Sequence, residues 1–270
     1  MDDLSTQEVL NNTGKVDPST FAELKQLRME VVQANRRNGT DVGMKKLLTD
    51  LYPGRAHFIY ELIQNADDAG ATEVTFELKT NRLTFSHNGK RLFNLDDIKS
   101  ITNVGQSTKK DDGTTIGKFG IGFKSVYSYT SHPVINSGKF HFQIYEMMIP
   151  EEIDETYPFY SSSQQTVFIL PFDLKDKPAW KSFDEIQEVL KNLSEETVLF
   201  LRNIKDITFE VSENLYEISK KQKDNLVELH LESPGKTSSV FYLKFSKLAK
   251  IETKDGVKIL PVDIASVSYT

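Results

Sequence analysis

The sequence predicts an α/β fold, and three stretches carry that reading. From Phe58 to Ala69, the residues Phe58, Ile59, Leu62, Ile63, Ala66 and Ala69 recur at three- and four-residue steps, and Gly70 stands where such a helix stops. Directly afterwards, Glu73 to Lys79 alternates Val74, Phe76 and Leu78, and Arg82 to His87 offers Leu83 and Phe85. Two such runs joined at Thr80-Asn81 read as a β-hairpin. Thr166 to Leu170 is apolar on both alternations, with Phe168 and Leu170 set against Val167 and Ile169, which places that strand inside a sheet.

The remaining elements follow in order. Residues 1 to about 18 are polar and read as a poorly ordered tail. Asp17-Pro18-Ser19 marks a helix start, and Phe21, Leu24, Leu27, Val31 and Val32 carry that helix from about Ser19 to Asn35. Asp41 caps a short helix through Leu51, which Tyr52-Pro53-Gly54 breaks. His87-Asn88-Gly89 turns the chain, and Asp96 to Ile101 is a short helix. Gly105 to Thr115 is polar and long for a structureless connection, and a helix follows over Phe123 to Tyr129. Beyond Pro133 the pattern is β-rich, with Phe140, Phe142 and Ile144 alternating in one strand. Ser182 caps a helix from Phe183 to Leu193; Asp206 to Val211, Leu226 to Leu231 and Val240 to Phe245 read as strands. The sequence closes on an apolar segment, Ile259 to Val267, without a polar tail, the pattern expected of a piece of a longer polypeptide.

Composition narrows the function classes. The chain has 270 residues, 38% hydrophobic and 27% charged, the balance of an ordinary globular protein. A net charge of −6 argues against a general nucleic-acid-binding surface. With no cysteine there is neither a disulfide framework nor a thiolate metal site, which fits a cytoplasmic setting. The N-terminus, Met1-Asp2-Asp3, lacks the pattern of a signal peptide, and no apolar run approaches the ~18 residues of a membrane span. His57, His132, His141 and His230 show no paired ligand spacing.

Two polar constellations remain. Glu61, Asn65 and Asp68 line one face of their helix, an arrangement that by itself also suits a merely solvated surface. Gly117-Lys118-Phe119-Gly120-Ile121-Gly122-Phe123-Lys124-Ser125 spells G-x-x-G-x-G and leads into a helical pattern, so backbone N–H groups and a helix start can approach phosphate oxygens. It is not the G-x-x-x-x-G-K-[ST] phosphate loop, because Asp112 lies five residues before Gly117 and Phe119 stands where Ser or Thr is needed. It is not G-x-G-x-x-G either, because the sixth position from Gly120 is Ser125.

Together, E-x-x-x-N-x-x-D at Glu61, Asn65 and Asp68 and G-x-x-G-x-G at Gly117, Gly120 and Gly122 resemble the GHKL ATPase superfamily. The wording ELIQNADDAGAT and GKFGIGFKSVY is most similar to its sacsin-type, heat-shock-90-like branch, and the resemblance runs from about Tyr52 to Phe172. It implies a Bergerat-type, two-layer α+β sandwich: a mixed, mostly antiparallel sheet with helices on one face and nucleotide between the layers. Residues 19–175 would form this domain and 176–270 a β-rich following segment.

The resemblance also implies Mg²⁺-dependent binding of ATP and its slow hydrolysis to ADP, used as a conformational switch. Glu61 matches the general base, Asn65 the Mg²⁺ ligand, and Asp68 a residue of the pocket network. Gly117, Lys118, Phe119, Gly120, Ile121, Gly122 and Phe123 match the phosphate loop, and Gly105 to Thr115 a lid over it. Lys109, Lys118 and Lys124 could add positive charge there, although a surface position is the commoner fate of each. Thr166 matches a hydroxyl near the base. One departure stands out: His87-Asn88-Gly89 occupies the place of a D-x-G motif whose Asp accepts from the adenine amino group. Neutral imidazole has one acceptor nitrogen, and Asn88 carries an amide oxygen, so adenine can still be met. A homodimer or downstream domains are the implied partners. The rivals are a nucleotide-binding or interaction module without turnover and a histidine-kinase-like phosphotransferase. Against the latter stand the carboxylate of Glu61 and the lack of an evident phospho-acceptor helix.

Overall fold

The computed structural model describes residues 18–39, 56–103, 122–154, 164–253 and 256–267. The expected tail up to Asp17, the short helix of Asp41 to Leu51 and the polar stretch of Gly105 to Thr115 lie outside the described residues. Helices α1 (Phe21–Arg37), α2 (Phe58–Asp68), α3 (Leu95–Ile101), α4 (Ala179–Lys191) and α5 (Glu196–Leu199) are joined by a 3₁₀ helix over Gly122–Ser128. The strands are β1 (Glu73–Lys79), β2 (Arg82–His87), β3 (Val134–Ser137), β4 (Phe140–Tyr145), β5 (Ile149–Glu152), β6 (Thr166–Pro171), β7 (Asp206–Val211), β8 (Asn214–Lys223), β9 (Leu226–Ser233), β10 (Lys236–Thr253) and β11 (Gly256–Val267).

The strands form an 11-stranded sheet in the order β11-β10-β9-β8-β7-β1-β2-β6-β3-β4-β5. Among the described residues every neighbouring pair is antiparallel except β1 and β7, so the mixed, mostly antiparallel α/β fold is observed. The β-rich stretch after residue 176 continues this sheet, because β7 hydrogen-bonds β1 in parallel from Glu73↔Asp206 to Leu78↔Val211. As expected of a strand apolar on both alternations, β6 lies between β2 and β3 with Thr166 to Leu170 all buried.

One rung explains the core. Phe209, Phe76, Phe85, Phe168, Ile135 and Phe142 are register partners across six strands and therefore share a face. All are at most 1% exposed. Phe76 and Phe85 have ring centroids 4.7 Å apart, and Phe123 of the 3₁₀ helix sits 5.9 Å from Phe168. Phe21 of α1 meets Phe142 edge-on at 5.8 Å. Burying such rings is the main favourable term here, at about 25 cal/mol per Å² of apolar surface removed from water.

The next rung on the same face changes character. Ile207 and Val74 keep it apolar, but their neighbours are His87, Thr166 and Ser137. An otherwise apolar face thus carries three buried polar side chains in a row at one end. Buried polar groups need partners, and these three find them in one another and in backbone N–H groups.

Three expectations need correction. The cap of α1 is Thr20, whose hydroxyl accepts the Glu23 N–H at 3.2 Å, while Ser19 donates to the Glu23 carboxylate. Helix α4 begins at Ala179, directly after Pro178, whose φ of −59° is preset by its ring. Ser182 therefore lies inside that helix, 1% exposed, rather than capping it. The helix expected over Phe123 to Tyr129 is the tighter 3₁₀ form.

Candidate nucleotide site

Helix α2 ends by a local rule. Gly70 takes φ +74°, its N–H donates to Asp67 O at 2.9 Å, and the Ala71 N–H returns to Ala66 O at 2.9 Å. Only glycine adopts that left-handed turn at no steric cost, so Gly70 stops the helix and feeds the chain into β1. The buried face of α2 is Phe58, Ile59, Leu62, Ile63 and Ala66; Phe58 packs on Tyr129 at 5.3 Å.

Glu61, Asn65 and Asp68 follow one another along the axis, about 6 Å separating Glu61 from Asn65. Glu61 is partly exposed, with His57 Nε2 3.9 Å from its carboxylate. Asn65 is buried, and among the described residues its Oδ1 has no hydrogen-bond partner. Asp68 likewise has an unpartnered buried oxygen, Oδ2. Burial, and then the charge of neighbouring Asp67, push the Asp68 carboxyl up to about 6. Leaving a buried acceptor unmet costs about 1–3 kcal/mol, so a donor or a cation on this helix face would be favoured.

Mg²⁺ takes oxygen ligands, keeps several waters and needs few protein atoms. The free amide oxygen of Asn65 fits that requirement. Among the described residues no group of three or more His, Asp or Glu side chains is arranged to hold a metal by itself, so phosphate oxygens and water would complete the shell.

The His87–Gly89 turn sits against the end of α2, where the Arg91 N–H donates to Ala69 O at 3.1 Å. His87 is 4% exposed, and its Nδ1 accepts the Gly89 N–H at 3.1 Å. Burial, with a smaller push from the Arg91 charge, lowers its pKa to about 4, so the ring is neutral. This corrects one expectation: the single acceptor nitrogen of neutral imidazole is occupied by the backbone. Asn88 is committed to the turn as well. Its Oδ1 accepts the Thr72 and Glu73 N–H groups at 2.9 and 3.0 Å, and its Nδ2 donates to the Thr72 hydroxyl at 2.9 Å. Thr166 lies opposite His87 in the β2–β6 ladder, and its hydroxyl is 2.6 Å from Ser137 Oγ, which accepts the Phe93 N–H at 3.0 Å.

Of the glycine-rich stretch, Gly122 opens the 3₁₀ helix and the Phe123 ring is core, 1% exposed. Lys109, Gly117, Lys118, Phe119, Gly120 and Ile121 lie outside the described residues. Lys124 overturns the expectation of a surface lysine. It is 2% exposed and donates to the carbonyls of Ile101 and Met147, and burial followed by the Arg28 charge lowers its pKa to about 7.

Two features had no signal in the sequence. Asp67 accepts three backbone N–H groups, from Arg202 (2.9 Å), Asn203 (2.7 Å) and Ile204 (2.9 Å), tying the end of α2 to the loop before β7. A separate cavity of about 770 Å³ is lined by Lys124, Tyr127, His132, Asp173, Lys177 and Glu185 among others, and by none of Glu61, Asn65, Asp68, His87 or Thr166. Ser131, His132 and Asp173 at its rim are not a hydrolytic triad. Ser131 Oγ (2.9 Å) and Asp173 Oδ2 (2.7 Å) both fall on Nδ1 of His132, whereas a triad needs them on opposite ring nitrogens.

Comparison with known proteins meets the motif reading. Residues 41–150 match the sacsin domain family. The protein NO VEIN of Arabidopsis thaliana is 28% identical over 270 aligned residues, covering 91% of this chain and 10% of that protein. Sacsin of Homo sapiens is 35% identical over 127 residues, covering 40% of this chain and 3% of sacsin. The chain thus spans a tenth or less of the length of these relatives. The crystal structure of the DNA gyrase B-subunit from Myxococcus xanthus is similar with a TM-score of 0.40 at 10% identity, covering 65% of this chain and 60% of that one. The match over residues 41–150 includes the segment that carries α2 and the glycine-rich stretch, and there this chain is similar to the sacsin domain.

Proposed function

We propose that this chain is a nucleotide-binding module that takes Mg²⁺-ATP between α2 and the sheet, hydrolyses it slowly and uses the difference between bound states as a conformational switch. The observation that carries the reading is the pair of buried, unpartnered oxygens, Asn65 Oδ1 and Asp68 Oδ2, on a helix that ends against the polar His87–Thr166–Ser137 rung. Most buried acceptors in a native fold are met, so a ligand or cation that meets these two would remove a cost.

Each residue has a role in this reading. Asn65 gives one oxygen to Mg²⁺, which screens the phosphate charge. Glu61, one turn earlier and open to solvent, orients and deprotonates the attacking water. Gly117, Gly120 and Gly122 admit phosphate oxygens to backbone N–H groups, with Lys109 and Lys118 adding charge. Asp68 and Thr166 belong to the network around the nucleotide. A homodimer or further domains of a longer chain would read the switch.

The test is phosphate release by wild type and Glu61→Ala, with and without Mg²⁺. The expected outcome is turnover in wild type only with Mg²⁺, and a loss of about 10²–10⁴ in rate for Glu61→Ala with nucleotide affinity kept. Equal turnover by the two proteins would remove Glu61 from the chemistry. Tight binding without turnover by wild type would favour a binding module instead.

A further inference from the structure

The Gly89 N–H points at the His87 ring and donates to Nδ1 at 3.1 Å. A ring turned over would set a C–H against that N–H, so the contact fixes its orientation. With Nδ1 accepting, the single proton of neutral imidazole sits on Nε2. The ring is neutral because burial lowers its pKa to about 4. Gly89 makes the contact possible. A Cβ there would lie 2.8 Å from His87 Nδ1 and 3.0 Å from the Ala69 Cβ, so no other residue lets the turn press on the ring. Among the described residues no hydrogen bond reaches Nε2; the residue is 4% exposed, and Nε2 is not one of the fully buried unpartnered atoms, so it keeps contact with solvent. On the same rung the Thr166 hydroxyl is already bonded to Ser137. Nε2–H is therefore an uncommitted, partly solvent-accessible donor on the residue whose turn meets the end of α2.

We propose that His87 reads the base of a purine nucleotide as a donor: its Nε2–H pairs with an acceptor on the Watson–Crick edge, N1 of adenine or O6 of a 6-oxopurine, and the 6-amino group is not recognised. This rests on the nucleotide reading above and sharpens it. An ionised Asp only accepts, so it pairs with a 6-amino group and repels a 6-oxo group. A donor in that place reverses the preference at position 6 or shifts the contact to N1. A site that supplies a donor leaves that donor unmet when the acceptor is deleted, and that deletion is what weakens binding.

Titration calorimetry of the whole chain with Mg²⁺ distinguishes the cases, using ATP, 1-deaza-ATP, purine riboside triphosphate (which lacks the 6-amino group), GTP, ITP and inorganic tripolyphosphate. The expected result is that removing the 6-amino group changes affinity by less than about threefold. If N1 is the acceptor, 1-deaza-ATP binds about tenfold more weakly than ATP. If O6 is the acceptor, GTP and ITP bind about tenfold more tightly than ATP. His87→Asp, with folding checked by circular dichroism, should gain dependence on the 6-amino group; the wild-type series stands without it should that variant not fold. Purine riboside triphosphate binding about tenfold more weakly than ATP, with GTP and ITP weaker too, would overturn the proposal. So would equal binding of all purine triphosphates, which leaves the nucleotide reading intact. Failure of every triphosphate, tripolyphosphate included, would overturn the nucleotide reading and this inference with it.

Discussion

At the scale of single residues, His87 and Asp68 titrate in opposite senses, and both follow from burial. The folded chain holds His87 near pH 4, below the ordinary 6.5. Its contribution is therefore full above pH 6.5 and is lost as the pH falls through about 4. The shift corresponds to up to about 3 kcal/mol. His87→Gln should flatten the stability of the chain between those pH values in urea titrations; an unchanged slope would show that His87 is not neutral in the fold. Asp68 is raised from 3.8 to about 6, so its neutral form is favoured and its contribution disappears as the pH rises through 6. Asp68→Asn should stabilise the ligand-free chain above that pH by about 1 kcal/mol, once solvent screening is allowed for. Glu61, Asn65 and Asp68 were readable because helical spacing alone brings them together. The tautomer of His87 was not, since it depends on a backbone N–H two residues later and on a burial that no local pattern encodes. Lys124 was misread for a similar reason: its partners are carbonyls at positions 101 and 147, and carbonyls leave no mark in a sequence.

At the scale of elements, the site depends on how α2 is held at its end. Asp67 gathers three backbone N–H groups of residues 202–204, and Asn203 Nδ2 returns a bond to Asp67 O at 2.8 Å. Asn88 staples the turn between α2 and β1. Asp67→Ala should lower stability by about 3 kcal/mol in urea unfolding, because three N–H groups lose their acceptor, and a change under about 0.5 kcal/mol would show that water replaces it. The strands with clean alternation, β1 and β2, were legible to the residue, and the two-sided β6 to within one residue at its end. Strand β8 was not: Asn214 to Lys223 is mostly polar, with only Ile218 fully buried, so its strand form comes from pairing with β7 and β9 rather than from a pattern of its own. Strand β5, four residues around Pro150, is too short to show a period.

At the scale of the molecule, the sheet runs without a break from β5 to β11 and carries the candidate site near its centre, where β2 and β6 pair. Phe209, Phe76, Phe85 and Phe168 fix the spacing between sheet and helices, so the polar rung beside them is positioned by packing rather than by a loop. The far strands reach the site through β7, whose parallel register on β1 aligns the 202–204 loop with the end of α2. None of the described helices is long and apolar enough to cross a membrane. Under the proposed function, Mg²⁺-nucleotide bound at Asn65 and Asp68 should add donors and a cation there, and so stabilise the whole sheet-and-helix unit.

That linkage gives the most direct test. Thermal unfolding and calorimetry should be run on the whole chain with and without Mg²⁺-ATP, in wild type and in Asn65→Ala. Nucleotide at 100 times its dissociation constant should stabilise wild type by about 2.7 kcal/mol. In Asn65→Ala the fold should persist and the Mg²⁺-dependent part of that gain should vanish. No heat of binding and no shift in unfolding temperature for wild type at millimolar Mg²⁺-ATP would contradict the nucleotide-site account.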